Sequence, residues 1–328
     1  MNSANTGSRL WSIVCGGGEP CVGSLIRNWL GIPKPKQYCV FVGTRSLLQH
    51  TVDRAAKLSG QTHIVTVVSH GYERDARSQL RGRAGSILIS PPAYGKTAAA
   101  IYVPLTYIRA RDPEATVVVY PSDHFVYPEH RFLHSLQQAV WVAERRPERI
   151  VLLGIPPDHL ELDYGWIMPG ERLDGPTNYR MWSVHSFLEQ PTAAQADAAL
   201  AAGSLWNTFV VATKAEVLWE MGWQYFPSMM SRLERLAAKI GTLQEADMLD
   251  AVYQGMPAYD FSSDLLQRVP GRIAVVEMTG VLWSDWGKPE RITSTLRRIG
   301  LPPAFPLTCL NQPFAPLPVG DSEIVTIS

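Results

Sequence analysis

Short apolar runs alternate with amphipathic stretches along the first half of the chain. Strands are predicted at 63–69 (HIVTVVS), 86–90, 115–120 (ATVVVY) and 149–155 (RIVLLGI), where β-branched and aliphatic residues run without polar breaks. Helices are predicted at 46–58, 96–110 and 129–146, where apolar residues recur at helical spacing. Buried strands that alternate with helices are typical of a parallel sheet covered on both faces. We therefore predict an α/β fold for this half.

The second half has a more mixed pattern. Further strands are predicted at 165–168, 183–189, 208–212 and 272–278. Further helices are predicted at 193–202, 214–239 with a break near Pro227, 243–254 and 288–299. From Leu301 onward the chain is rich in proline without periodicity, which indicates an extended tail, either packed on the domain or partly disordered. We therefore divide the chain into a domain at 1–300 and a proline-rich tail at 301–328.

Three features at predicted strand ends suggest phosphate chemistry. A short apolar run at 13–15 predicts a further buried strand, and Gly16, Gly17 and Gly18 follow it. Backbone N–H groups in such a glycine turn favour anions, and Lys36 could reach a phosphate bound there. Asp123 and Asp285 each follow a predicted strand, and two such carboxylates could share a Mg²⁺ ion. The alternatives are that the glycines only reverse the chain and that each aspartate caps the next turn or helix.

Two acidic residues and an asparagine leave their roles open. Glu161 and Asp163 could bind sugar hydroxyls or remain solvated loop charges. Asn207 is either a hydrogen-bonding residue in a pocket or a buried residue that ties a strand end.

Composition excludes several classes of protein. Lys+Arg and Asp+Glu are both 30, so the net charge is zero and a nucleic-acid partner is not expected. The four cysteines match neither a zinc pattern nor a disulfide framework, which favours a reducing, cytoplasmic setting. The first residues do not form a signal peptide, and no apolar run is long enough to span a membrane.

Two common nucleotide-binding motifs are not matched. The glycine loop does not follow the Gly-x-x-x-x-Gly-Lys-[Ser/Thr] pattern of Walker A ATPases and kinases. It also lacks the Gly-x-Gly-x-x-Gly pattern with a ribose-binding acid, which argues against a nicotinamide dehydrogenase.

The order of short segments resembles that of the sugar-nucleotide pyrophosphorylases, in particular the mannose-1-phosphate guanylyltransferases. The segments that carry the resemblance are Cys-Gly-Gly-Gly at 15–18, Pro-Lys-Gln-Tyr at 35–38, Ser-Leu-Leu-Gln at 46–49 with Thr51 and Arg54, Gly-Lys-Thr-Ala-Ala-Ala-Ile at 95–101, Pro-Ser-Asp-His at 121–124, Gly-Ile-Pro-Pro at 154–157, Tyr-Gly-Trp-Ile at 164–167, Phe-Leu-Glu-Gln-Pro at 187–191, Gly203 with Trp-Asn-Thr at 206–208, and Trp-Ser-Asp-Trp-Gly at 283–287. Together they extend from about residue 11 to residue 292.

The resemblance implies a Rossmann-like nucleotidyltransferase fold with a mixed, mostly parallel sheet and a smaller sugar-binding subregion. It implies the transfer of a nucleotidyl group from an NTP, most simply GTP, to a sugar 1-phosphate, most simply mannose 1-phosphate. The substrates would be small molecules, and a homodimer is left open. The residues it assigns are Gly16, Gly17, Gly18, Lys96, Thr97 and Asp123 for the nucleotide, Lys36, Arg27, Asp123 and Asp285 for catalysis, Asp123 and Asp285 for Mg²⁺, and Gly165, Glu189 and Asn207 for the sugar.

The sequence departs from the family at three cation positions. The Arg-Leu pair that follows the family's glycine loop is absent from 19–25, so Arg27 is the nearest substitute. The lysine of the family's Glu-Lys-Pro is Gln190, and the Arg-Asn of its Thr-Ala segment is Gly95-Lys96. These departures keep two alternatives open: a weak or inactive relative that binds nucleotide or nucleotide-sugar in a regulatory or scaffold role, and a transferase for a different sugar.

Overall fold

The computed structural model describes residues 9–16, 22–83, 85–90 and 97–310. The strands are β1 Leu10–Gly16, β2 Ile64–Ser69, β3 Ser86–Ser90, β4 Thr116–Pro121, β5 Phe125–Tyr127, β6 Ile150–Ile155, β7 Trp166–Arg172, β8 Met181–Leu188, β9 Leu205–Lys214, β10 Ile273–Glu277 and β11 Leu282–Ser284. The helices are α1 Gly23–Leu30, α2 Leu47–Ser59, α3 Glu73–Gln79, α4 Thr97–Arg111, α5 Glu129–Arg145, α6 Ala193–Ala201, α7 Ala215–Tyr225, α8 Pro227–Ala237, α9 Glu245–Gln254, α10 Phe261–Asp264 and α11 Pro289–Ile299.

A nine-stranded sheet of mixed direction forms the centre of the molecule, in the order β3-β2-β1-β4-β9-β6-β10-β8-β7. Strands β1 to β4 pair in parallel, and β10 pairs in parallel with β6. The exceptions in direction are β9, which lies antiparallel between β4 and β6, and β8, which pairs antiparallel with β10 and β7. The predicted α/β fold with a mixed, mostly parallel sheet flanked by helices is therefore confirmed.

Hydrophobic layers cover both faces of this sheet. In β4, Val117 and Val119 point into a core shared with α4, α7 and α8, while Val118 and Tyr120 point into a core shared with α2 and α5. Successive residues of a strand face opposite sides, so an uninterrupted apolar run is what a strand buried on both faces requires. This burial explains why β4 and β6 are visible as continuous apolar runs in the sequence.

A short antiparallel ribbon of β5 and β11 lies apart from the central sheet. Its register pairs Phe125 with Ser284 and Tyr127 with Leu282. Asp123 lies two residues before β5 and Asp285 directly follows β11, so the pairing brings these two residues to the same end of the ribbon. The sequence pattern predicts neither strand, because each has only three residues.

The first ten residues of the predicted tail pack on the domain. Phe305 and Cys309 are buried in a small apolar cluster with Phe41 and Trp286. The amide of Ala304 donates to the Phe41 carbonyl at 2.8 Å. Residues 301–310 are thus continuous with the domain core, whereas 311–328 lie outside the described residues.

Helix α1 is a further element that the sequence pattern does not predict. It is short, it buries Leu25 and Ile26, and it ends at Gly31, whose φ of 73° places it in the left-handed region that favours glycine. In the described part of the chain, no helix combines the length and apolar character needed to cross a membrane.

Candidate active site at the carboxyl ends of the strands

Lys36, Asp123 and Asp285 meet beside the carboxyl ends of β1 and β4. Lys36 begins a short 3-10 turn (Lys36–Tyr38) and is buried, with 4% of its surface exposed. Its Nζ lies 3.1 Å from the Asp123 carboxylate and donates to the Asp285 carbonyl oxygen at 2.5 Å. The structure thus brings together three of the four residues predicted to be catalytic.

The Asp285 carboxylate accepts hydrogen bonds from three protein groups. The Tyr164 hydroxyl donates to it at 2.7 Å, the Gly287 amide at 3.0 Å, and the Arg291 guanidinium bonds both of its oxygens at 2.9 Å. Burial alone would raise the pKa of Asp285, but Lys36 and Arg291 hold that pKa below its ordinary value. Asp285 is therefore a carboxylate that stays ionised at neutral pH.

These contacts decide how well the predicted Mg²⁺ site fits. Mg²⁺ usually takes one or two carboxylates together with substrate phosphates. Asp123, partly exposed and beside a single ammonium, fits such a ligand, whereas both oxygens of Asp285 already accept from Nη1 of Arg291, which would compete with a metal ion. Within the described ranges, no group of three or more His, Cys, Asp or Glu side chains could hold a metal ion. A shared site needs only these two carboxylates with substrate phosphates, so the predicted Mg²⁺ site of Asp123 and Asp285 stays a prediction, with Arg291 paired to Asp285.

Gly165, Glu189 and Asn207 form a second cluster. A Cβ atom on Gly165 would lie 2.8 Å from Glu189 Oε2 and 3.4 Å from Asn207 Cβ. Glycine at position 165 therefore lets the Glu189 carboxylate approach the backbone closely. The Asn207 amide N–H donates to the Gly165 carbonyl at 2.7 Å, and Asn207 Oδ1 accepts from the Phe209 amide at 3.1 Å. The three residues predicted to bind the sugar thus lie together.

Glu189 has an unusual environment for a carboxylate. Its Oε2 is buried and has no hydrogen-bond partner among the described residues. Burial, followed by the charge of Asp260, raises the pKa of Glu189 to about 7. A buried acceptor without a partner is costly and is typical of a site that a ligand completes.

The two clusters are joined through consecutive residues. Tyr164 donates to Asp285 in the first cluster, and Gly165 packs against Glu189 in the second. Burial and the charge of Asp285 raise the pKa of Tyr164, so its hydroxyl remains a donor. One short segment before β7 therefore fixes the spacing between the two clusters.

The residues predicted to cradle the nucleotide are only partly described. Gly17, Gly18 and Lys96 lie outside the described residues. Gly16 ends β1, its carbonyl accepts from Gln37 Nε2 at 2.7 Å, and a Cβ on it would overlap the backbone oxygen of Val67 in β2. Close strand packing alone thus accounts for glycine at position 16.

Thr97 begins α4 and has two local partners. Its hydroxyl accepts from the Phe261 amide at 2.7 Å and lies 3.2 Å from the carboxylate of Asp260. Asp260 is also the charge that raises the pKa of Glu189. Thr97 is therefore connected to the Glu189 cluster, and its contact with a nucleotide stays a prediction.

Two other cations of the N-terminal region, Arg27 and Lys34, contact groups outside the carboxylate pair. Arg27 is exposed in the last turn of α1, where its Nε donates to the Gly23 carbonyl at 3.3 Å. Lys34 forms an ion pair with Asp75 at 2.7 Å. The catalytic role assigned to Arg27 stays a prediction.

The sequence analysis missed Arg291, and it left Glu161 and Asp163 open. Arg291 forms ion pairs with Glu161 and, at 2.8 Å, with Asp163, so these acids are neither free loop charges nor free sugar ligands. One signal was available: Lys288 and Arg291 lie at the start of a helix, where the helix dipole disfavours cations. Two cations at that position indicate nearby carboxylates.

Comparison with known proteins gives a consistent result. No protein-family model matches the chain. The chain is 26% identical over 294 residues to mannose-1-phosphate guanylyltransferase 2 of Escherichia coli O157:H7, covering 87% of this chain and 57% of the relative. It is 27% identical over 258 residues to the xanthan biosynthesis protein XanB of Xanthomonas campestris pv. campestris strain B100, covering 77% and 53%. The chain thus spans about half the length of the curated relatives it matches.

Solved structures show the same fold. The structure described as mannose-1-phosphate geranyltransferase from Thermus thermophilus has a TM-score of 0.72 and 25% identity, covering 87% of this chain and 79% of that one. The inositol-1-phosphate CTP transferase from T. maritima has a TM-score of 0.53 and 13% identity, covering 88% and 97%, which supports the fold alone.

The architecture therefore resembles the Rossmann-like fold of sugar-phosphate nucleotidyltransferases. In sequence the chain is similar to mannose-1-phosphate guanylyltransferases, which is the similarity that the order of its segments predicts.

Proposed function

We propose that this protein transfers a nucleotidyl group from an NTP to a sugar 1-phosphate, releasing pyrophosphate and an NDP-sugar. GTP and mannose 1-phosphate are the leading pair, because the relatives named above include mannose-1-phosphate guanylyltransferases. The observation that supports the proposal most is the adjacency of the two clusters. A buried lysine lies with two aspartates at the strand ends. The cluster of Gly165, Glu189 and Asn207 begins at the residue after Tyr164, which itself contacts Asp285.

In this reaction an oxygen of the sugar phosphate attacks the α-phosphorus of the NTP, and pyrophosphate leaves on the opposite side. The protein's main contributions are positioning of the reactants and stabilisation of phosphate charge. We assign the charge contact to Lys36, whose ammonium lies at the strand ends where such sheets bind ligands. Mg²⁺, when bound, would neutralise phosphate charge, and Asp123 is the carboxylate that fits it.

The sugar would be held by the second cluster. Glu189 Oε2 can accept from a sugar hydroxyl and would gain the partner it lacks among the described residues. The Asn207 side chain is held by the Phe209 amide through Oδ1, which orients its Nδ2 group as a donor. A side chain at position 165 would press against Glu189 Oε2, so glycine keeps this carboxylate oxygen clear for a sugar hydroxyl.

A cytoplasmic location is part of the proposal. Cys15, Cys39 and Cys309 are free thiols, which is typical of a reducing compartment.

A pyrophosphate-release assay with Mg²⁺ over a panel of NTPs and sugar 1-phosphates tests the proposal. We expect the highest kcat/KM with GTP and mannose 1-phosphate. Highest turnover with another sugar 1-phosphate would identify a transferase for a different sugar. Absence of turnover with every pair, together with measurable binding of GTP or GDP-mannose, would replace the enzyme by a binding protein.

That second candidate, a nucleotide- or nucleotide-sugar-binding relative of low activity, is favoured by the charge arrangement. Lys34 is paired with Asp75, and Asp285 is paired with Arg291. Position 190, where the family has lysine, is an exposed glutamine with a φ of 48°. Charge-assisted phosphate contacts are each worth roughly 30- to 1000-fold in rate, so their loss would leave binding but slow turnover.

A further inference from the structure

Arg291 is a partly buried cation at the centre of an acidic cluster. Its side chain is 11% exposed, in the first turn of α11. The guanidinium bonds both oxygens of Asp285 at 2.9 Å, and it also pairs with Glu161 and Asp163. Its carbon Cζ lies 4.6 Å from the centre of the Tyr164 ring, a cation–π distance. A planar guanidinium with several fixed donors suits such a set of partners.

The same helix is tied to the loop before β7 by further ion pairs. Lys288 lies 2.6 Å from Asp163, and Arg298 lies 2.7 Å from Asp158. Arg291 differs from these two cations because only its contacts extend to Asp285 as well as to the loop. It therefore connects the loop, the start of α11 and the site carboxylate in one partly buried network.

A cation that bonds both oxygens of a carboxylate competes with any other cation for that carboxylate. A divalent ion on Asp285 would compete with Nη1 of Arg291, which contacts both carboxylate oxygens, and displacement of Arg291 would leave it with Glu161 and Asp163 alone. Asp123 has no such guanidinium partner among its described contacts, since its ion pairs are with Lys36 and His124. The two aspartates are thus unequal.

We propose that Arg291 is a positioning residue that takes the cation position on Asp285, so that a divalent metal ion in this site binds without Asp285. Arg291 also fixes Asp285 as the acceptor of the Tyr164 hydroxyl, which sets the place of Gly165 in the sugar cluster. The inference rests on the proposed function only for the identity of the site, and ion binding can be measured without turnover.

Titration of the full chain with Mn²⁺ alone, with free ion followed by electron paramagnetic resonance, tests this. In the wild-type protein, Asp285→Asn should leave the Mn²⁺ dissociation constant unchanged within about twofold. Arg291→Gln should release Asp285 and tighten Mn²⁺ binding by about fivefold or more. The double variant Arg291→Gln/Asp285→Asn should lose this gain.

Arg298→Gln is the matched control, because it removes an ion pair between the same helix and the same loop without touching Asp285. It should bind Mn²⁺ as the wild type does. Weaker Mn²⁺ binding by Asp285→Asn in the wild-type background would overturn the proposal, as would an unchanged affinity in folded Arg291→Gln. If Arg291→Gln does not fold, the comparison of wild type with Asp285→Asn decides alone. Either result is independent of whether any nucleotide is turned over.

Discussion

Replacing Gly165 by alanine would test the sugar cluster with a single methyl group. The new Cβ would lie 2.8 Å from Glu189 Oε2 and 3.2 Å from Phe187 Cζ. Ordinary contacts of this kind begin near 3.4 Å, so the carboxylate must move by about 0.6 Å. Both obstacles are ends of side chains, and Gly165 has no positive φ, so the backbone can remain in place. The cost to the free energy of unfolding should then be about 1 kcal/mol, a fall in Tm of roughly 2–4 °C.

Catalysis should be far more sensitive than stability. A misplacement of about 1 Å in a positioning group can cost ~100-fold in rate, so we expect Gly165→Ala to lower kcat/KM for the sugar 1-phosphate by roughly 10- to 100-fold. KM for the NTP should change much less, because the nucleotide is assigned to other residues. The measurement is pyrophosphate release with each substrate varied in turn, alongside a thermal melt.

Gly170→Ala provides the matched control in β7. Its Cβ would meet the Ser183 hydroxyl at 2.7 Å, again the end of a side chain, but away from Glu189. It should cost a similar amount of stability and leave kcat/KM unchanged. Wild-type kcat/KM in folded Gly165→Ala would refute the placement of the sugar at Glu189, and an equal loss in Gly170→Ala would show a general effect of disturbing the strand.

Three further changes test other parts of the site. Gly16→Ala places a Cβ against the backbone oxygen of Val67, which cannot rotate away, so urea denaturation should show a loss of about 2–3 kcal/mol; a loss under ~0.5 kcal/mol would contradict the packing argument. Lys36→Met removes the ammonium beside Asp123 and should lower kcat/KM roughly 30- to 1000-fold in the pyrophosphate assay; near-normal turnover would make Lys36 a structural residue. Because the pKa of Glu189 is raised to about 7, wild-type kcat/KM for the sugar 1-phosphate should rise with pH through about 7, and Glu189→Gln should lose that rise. The Glu189 carboxylate binds a proton more tightly in the folded than in the unfolded chain, so the free energy of unfolding should fall as pH rises from about 4 to 7. Urea titrations of Glu189→Gln should lack this fall. The same pH dependence of stability in wild type and Glu189→Gln would refute the assignment.

The fold was predictable where burial is complete. β4 and β6 are apolar on both faces, and this pattern predicts buried strands without further information. The sequence pattern did not predict the ribbon strands β5 and β11 or the short helix α1, because so few residues show no hydrophobic periodicity. The antiparallel insertion of β9 between β4 and β6 was equally hidden, because strand order is set by tertiary packing.

The site was predictable only as a set of residue types. Lys36, Asp123 and Asp285 do meet, but the distances among them follow from the ribbon register, which no local pattern encodes. The partner of Asp285 was missed because Arg291 lies on a helix that also looks like an ordinary amphipathic surface helix. The role of Glu161 could not be predicted either, because its partner Arg291 lies 130 positions away along the chain.

The β5–β11 ribbon has a consequence for the order of folding. Lys36 and Asp285 lie 249 positions apart, and β11 follows β10, the last strand of the central sheet along the chain. Contacts at such separation form at a high entropic cost, which favours their late formation. A refolding intermediate could therefore possess the whole central sheet, with native-like hydrophobic layers, and still lack an assembled site. Since side chains alternate along a strand, a ribbon paired one residue out of register would turn Asp285 toward the opposite face. Recovery of ligand binding would then lag behind recovery of the circular dichroism signal. The rate of correct pairing of the six ribbon residues would determine the length of that lag.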